Sequence, residues 1–188
     1  MAVTTEMIKN LRERTGAGIM DSKRALEETG GNLDKAIDYL RQQGLAKAGK
    51  KADRAALQGL VDTYIHSQGR IGAMVEVNCE TDFVARTEDF KKLTYDVAMQ
   101  VAAMSPRFVS VDEVTDIDYV ELEKEFGDRE TAVKATVLLE QAFIKDPKKS
   151  IDDLVKEGIS KLGENIVVRR FARFELGQSA TTDADGAA

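Results

Sequence analysis

The chain has 188 residues, enough for one compact domain or two small ones with a real core. It carries 27 Lys and Arg against 33 Asp and Glu, a net charge of -6, which argues against a protein held to nucleic acid by phosphate contacts. Hydrophobic residues make up 43% and charged ones 32%, the composition of a folded globular protein, and no apolar run approaches the roughly 18 residues of a membrane helix. The start, MAVTTEMIKNLRER, lacks the apolar stretch and cleavage site of a secretory signal, so a cytoplasmic location is expected.

One Cys (Cys79) and one His (His66) leave no intramolecular disulfide, no zinc site of the usual spacing and no marked nucleophile beside the imidazole. Neither side-chain catalysis nor a cofactor is expected.

In chain order, Thr4 or Thr5 caps a first helix carrying Met7, Ile8 and Leu11, which ends near Thr15-Gly16. A second begins around Gly18, carries Ile19, Met20, Ala25 and Leu26, and stops at Gly30-Gly31. Asn32 caps a third, whose Leu33, Ala36, Ile37 and Leu40 form one apolar stripe. The three stripes can close on one another as a small domain over 1–45. From 46 to 58, Lys47, Lys50, Lys51 and Arg54 give a local positive excess, which reads as a solvated linker or as a basic patch facing a partner.

A core domain is expected over 59–177. Leu60 to His66 and Ile71 to Cys79 read as a hairpin around Ser67-Gln68-Gly69-Arg70, with Ile71, Ala73, Val75, Val77 and Cys79 on one face. Cys79 is then a buried thiol, and His66 a surface imidazole or an interface contact. Thr87 caps a helix carrying Phe90, Leu93, Val97, Val101 and Met104, which Ser105-Pro106 ends. Tyr119, Leu122 and Phe126 suggest another helix, Gly127 a break, and Ala132 to Gln141 a further one. Ser150 and Asp153 form a capping-box pattern for a helix through Leu162 that closes at Gly163. Ile166 to Leu176 reads as a strand with Ile166, Val168, Ala172, Phe174 and Leu176 on its apolar side and Arg170 as the exception. The small, acidic tail, 178–188, is expected to be disordered.

Gly16-Ala17-Gly18 fits neither a dinucleotide fingerprint nor a Walker loop, since Asp21 stands where a Gly is needed and a helix precedes it. Arg169, Arg170 and Arg173 could face an acidic partner or line a solvated sheet face. Glu80-Thr81-Asp82-Phe83-Val84-Ala85-Arg86 is longer than a simple turn needs. Phe83 gains little in an exposed connection unless something buries it: a partner's pocket, or its own core.

Several segments together resemble elongation factor Ts. They are Arg14-Thr15-Gly16-Ala17-Gly18-Ile19-Met20-Asp21, Asn78-Cys79-Glu80-Thr81-Asp82-Phe83-Val84-Ala85, Leu138-Leu139-Glu140-Gln141, Gly163-Glu164-Asn165-Ile166 and the Arg-Arg-Phe-Ala-Arg-Phe-Glu-Leu run ending at Leu176. The likeness extends from about Thr5 to Gly177. It implies an α+β fold: a ubiquitin-associated-like (UBA-like) three-helix N-terminal domain, then helices packed on a three-stranded antiparallel sheet. It implies a guanine-nucleotide exchange factor whose partner is the GTPase elongation factor Tu, with no direct nucleic-acid or membrane contact. In that family Thr-Asp-Phe-Val enters beside the partner's magnesium site, which corresponds here to Thr81, Asp82, Phe83 and Val84. The N-terminal domain docks on the GTPase, which points to Arg12, Gly16, Ile19 and Met20. Many family members have a duplicated core half and an inserted coiled coil; this chain has one half, so a homodimer completing the contact surface is expected. The stretch from Thr115 to Thr136 is abbreviated, and Ala142 stands where the family usually has Pro. A rival reading from the residues is a UBA-like adaptor that binds a peptide or RNA through residues 1–50 alone.

Overall fold

A computed structural model of the chain describes residues 3–178. The tail expected to be disordered lies outside the described residues, apart from Gln178. Among the described residues there are eight α-helices and five strands. Thr4 caps α1 (Thr5–Thr15), its hydroxyl accepting the Met7 N–H at 3.3 Å. Asn32 caps α3 (Leu33–Gly49) by accepting the Lys35 N–H at 3.0 Å. Leu11, Ala25, Leu26 and Ala36 are fully buried between α1, α2 (Ile19–Glu28) and α3, with Met7, Ile8, Leu33, Ile37 and Leu40 packed around them. This is the UBA-like three-helix unit. Its second stripe differs from the expected one: Ile19 and Met20 are 57% and 68% exposed, and only Ala25 and Leu26 of the four enter the core.

Helix α3 runs to Gly49, so the first residues of the stretch read as a linker are helical. Ala48 reaches the larger core, where it is buried. The same helix lies along α8 (Ile151–Leu162), with an Arg41–Asp153 ion pair at 2.6 Å and Gly44 so close that a Cβ there would sit 3.3 Å from the Ser160 hydroxyl.

The larger core is built on a three-stranded antiparallel sheet in the order β1 (Gln58–His66), β2 (Ile71–Cys79), β5 (Ile166–Glu175). As the alternation in β2 predicts, Ala73, Val75, Val77 and Cys79 face inward and are buried, while Ile71 is half-buried at the strand's edge. Helix α5 (Glu88–Met104) covers that face with Phe90, Val97 and Val101, all fully buried. Its polar Thr94 donates to Asp62 of β1 at 2.8 Å. Ser150 and Asp153 form the expected capping box at the start of α8.

The last strand departs from its expected pattern. A register shift opposite Glu76 and Val77 leaves Arg169 without a partner in the β2–β5 register. One extra residue reverses the alternation beyond it. Phe171 therefore packs against the core, whereas Phe174 and Leu176, expected on the apolar inner side, are 75% and 68% exposed. The sheet's outer face carries Val61, Ile65, Met74 and Phe174, each at least half exposed. Glu76 sits among them, held below the usual carboxylate range chiefly by the Arg170 guanidinium at 2.7 Å.

Between α5 and α8 the chain makes α6 (Asp116–Phe126) and α7 (Arg129–Thr136), which enclose a small core of Val114, Tyr119, Leu122, Ala132 and Val137. The helix expected through Gln141 stops at Thr136, because Val137 turns extended (φ -98°, ψ 115°) ahead of a single tight turn, Leu138–Glu140. Gln141 is then fully buried; its amide donates to the Ala135 carbonyl at 2.7 Å, and its carbonyl accepts from buried Gln100 at 3.2 Å. The short β3 (Ala142–Phe143) and β4 (Asp146–Ser150), which no sequence pattern announced, form a ladder before α8.

Candidate functional site

The stretch from Glu80 to Arg86 is built around a one-turn helix, α4 (Asp82–Ala85). Thr81 is its cap: the hydroxyl accepts the Val84 N–H at 3.4 Å and donates to the Glu164 carboxylate at 2.6 Å. Asp82 opens the helix, where a negative charge suits the dipole, and pairs with Arg86 one turn later at 2.6 Å. Ala85 is buried and Val84 packs against the sheet core. With the neighbours on either side so anchored, Phe83 is left pointing out, 77% exposed. Of the two places that could bury this ring, its own core is not the one used.

Glu164 and Asn165, just after the left-handed Gly163 cap of α8 (φ +81°), hold the base of this helix. The Glu164 carboxylate accepts the backbone N–H groups of Glu80 and Thr81 at 3.1 and 3.0 Å. The Glu80 carboxylate in return accepts the Asn165 N–H at 2.6 Å, and the Asn165 amide donates to the carbonyls of Ala52 and Arg54. Nothing in the spacing of the sequence links 80 to 164, so pattern reading missed these partners. The signal available was the pair of acids flanking two adjoining strand ends, Cys79 and Ile166.

Cys79 lies beneath the same helix, fully buried, its thiol donating to the Thr81 carbonyl at 3.1 Å. Burial, and secondarily the Glu164 charge, raises its pKa above the ordinary thiol value. A thiol reagent should therefore modify the native chain at least ~100-fold more slowly than the urea-unfolded chain, as timed by absorbance of the released aryl thiolate. Equal rates would place the thiol at the surface. His66 is exposed at the end of β1 and meets the Tyr64 hydroxyl at 3.1 Å.

The N-terminal candidates gather at the turn between α1 and α2. Gly16 takes the left-handed conformation (φ +69°) that ends α1, donating to the Arg12 carbonyl at 2.7 Å. Arg12, itself exposed, donates from Nε to the Ala17 carbonyl at 3.4 Å, and exposed Ile19 and Met20 follow. The turn lies beside the C-terminal end of α8, where a Cβ on Gly16 would come within 3.2 Å of the Lys161 side chain. Lys161 pairs with Asp89 of α5 at 2.6 Å. The C-terminal end of α8 thus lies next to both groups, with Lys161 beside the N-terminal turn and Glu164, just past the helix, bonded to the cap of α4. An open groove of about 820 Å³ separates the N-terminal helices from the core. Its charges largely neutralise one another in the Lys145–Asp96, Lys149–Glu157 and Lys161–Asp89 pairs, so it does not resemble an anion pocket.

Fold and site together define a small α+β protein, built on three buried clusters, that presents a braced, outward-facing aromatic and a pair of exposed apolar residues on its N-terminal helices. The family model for elongation factor TS matches residues 49–135. The elongation factor Ts of Syntrophomonas wolfei is 53% identical, over 94% of this chain and 91% of its own length. That of Carboxydothermus hydrogenoformans is 50% identical over 94% and 90%, and that of Coprothermobacter proteolyticus 48% over 95% and 100%. The chain belongs to the elongation factor Ts family and is a translation elongation factor. Among the described residues no helix is long and apolar enough to cross a membrane.

Proposed function

We propose that the chain is a guanine-nucleotide exchange factor. It binds GDP-loaded elongation factor Tu, disturbs the partner's magnesium site and promotes GDP release so that GTP can bind. The observation that carries this reading is Phe83, a large ring left 77% exposed on a helix whose other side chains are anchored. Burying that ring in a partner gains about 2–3 kcal/mol. Mg²⁺ neutralises the nucleotide phosphates within an octahedral shell of oxygens and waters. A ring wedged beside it shifts the elements that hold the shell, and the Asp82 carboxylate competes for the shell's donors. No group of this chain reacts and no cofactor of its own is needed, so it is not an enzyme. It works by binding the nucleotide-free partner better than the loaded one. Each tenfold loss of GDP affinity requires ~1.4 kcal/mol of such coupling, and GDP weakens the factor equally.

Thr81, Asp82, Phe83 and Val84 form the wedge, and Arg12, Gly16, Ile19 and Met20 form the N-terminal docking surface. In this reading 1–45 is the docking domain, 46–58 its connection and 59–177 the core, working in the cytoplasm. A second copy covers the outer sheet face of Val61, Ile65, Met74 and Phe174, giving a homodimer. Phe174→Glu should then turn a dimer into a folded monomer in sedimentation equilibrium. A monomer before substitution removes the dimer from the proposal.

The decisive test of exchange is stopped-flow release of fluorescent GDP from elongation factor Tu. The chain should accelerate release at least ~100-fold, which corresponds to ~2.8 kcal/mol at ~1.4 kcal/mol per tenfold. Release at the unassisted rate, with the two proteins at concentrations well above micromolar, would remove the exchange reading.

A further inference from the structure

We infer that Glu164 is the positioning residue of the wedge: its carboxylate, delivered by the turn after α8, fixes the direction in which α4 presents Phe83. This deepens the exchange reading and rests on it. The carboxylate is half-buried and takes three hydrogen bonds from two consecutive residues, Glu80 N–H, Thr81 N–H and Thr81 O–H, at 3.1, 3.0 and 2.6 Å. Both oxygens are engaged, one by the two amides and the other by the hydroxyl. The third bond sets the Thr81 rotor. With its proton committed to Glu164, the hydroxyl can only accept toward the helix, as the cap of α4 requires when it receives the Val84 N–H. A four-residue helix has too few bonds of its own to hold an orientation, so the cap and what lies behind the cap decide it. Glu80 ties the other end of the contact back to Asn165, which keeps the donor and acceptor loops in register.

The charge matters as much as the reach. Bonds to an ionised acceptor are shorter and stronger than neutral ones. A glutamine of the same size offers one acceptor oxygen and, in place of the other, an NH₂ group that cannot receive the backbone N–H groups or the Thr81 proton.

The test is a cycle of Glu164→Gln and Phe83→Ala, read as the maximal rate of fluorescent GDP release from elongation factor Tu. Glu164→Gln alone should lower that rate by about 5- to 10-fold, the size expected for losing charge-assisted hydrogen bonds, while the factor concentration at half-maximal rate stays within about twofold. In the Phe83→Ala background it should lower it no further, since there is no ring left to aim. An equal loss in both backgrounds, or no loss in either, overturns the role of Glu164. A Phe83→Ala variant that releases GDP as fast as the unaltered chain overturns the wedge and this inference with it. Amide hydrogen exchange on the unaltered chain supplies a measurement that needs no variant. Glu80 and Thr81 amides should exchange at least ~10-fold more slowly than those of Asp82 and Phe83, and equal rates also overturn the assignment.

Discussion

Phe83→Ala is expected to leave the fold within about 0.5 kcal/mol of its original stability yet slow factor-driven GDP release by about 30- to 100-fold. The first number follows from exposure: a side chain 77% in solvent contributes little packing, and its neighbours are held without it. Thr81 is tied to Glu164, Asp82 to Arg86, and Ala85 to the core. The second follows from transfer of the ring into a partner, worth about 2–3 kcal/mol, at about 1.4 kcal/mol per tenfold. Phe90→Ala is the contrast within the same region. That ring is fully buried under the sheet at the start of α5, so its loss should cost about 3–5 kcal/mol of stability. Urea denaturation and stopped-flow release, run on both variants, separate the two behaviours. A Phe83→Ala protein that is folded and exchanges at the original rate shows that the ring is not the lever.

Much of this arrangement is legible in the residues, where the pattern is local. The β2 alternation locates the buried face through Cys79, and Ser150 with Asp153 marks the start of α8, because both signals need only neighbours along the chain. Sequence reading fails where a distant strand or loop decides. The reversal of face beyond Arg169 depends on a bulge against β2, and a single extra residue leaves no trace in composition. The early end of α7 likewise follows from the buried Gln100–Gln141 amide pair, 41 residues apart, which claims Gln141 for the core. Ile19 and Met20 read as core because they fall on an apolar stripe, yet the apolar residues α2 buries in the shared core are Ala25 and Leu26, beside buried Ser22. At the site the motif is visible and its support is not. Thr81 to Val84 can be picked out by the odd placement of an aromatic, whereas Glu164 becomes its partner only when β2 and β5 bring their ends together.

Gly59→Ala should destabilise the protein by about 3–5 kcal/mol, although the substitution adds one methyl group to a residue near the end of a strand. Gly59 sits at φ +146°, a conformation L side chains rarely adopt, opposite Asn78 in the β1–β2 register. A Cβ there would lie 2.1 Å from the Val77 carbonyl oxygen and 2.7 Å from the Asn78 Cα. Both are backbone atoms of the central strand, so no rotamer change relieves the overlap. Relief would require β2 to move, and β2 is bonded on its other side to β5 through Val77–Val168 and Asn78–Val167. The alternative is for the start of β1 to peel away, which also gives up the bond from the Asn78 amide to the Gln58 carbonyl at 3.2 Å. Gly69→Ala is the control without a steric clash: its φ of +88° is also one that L side chains rarely adopt, but nothing lies within 4 Å of the added carbon, so about 1–2 kcal/mol is expected. Denaturant midpoints for the two variants test the difference. Equal losses would show that the close approach of β1 to β2 is relaxed in solution. If Gly59→Ala displaces β2 rather than β1, the strand that leads into Cys79, Glu80 and Thr81 shifts with it, and GDP release should fall along with stability. If β1 peels instead, exchange activity persists in the folded fraction, because α4 is braced from the α8 side through Glu164.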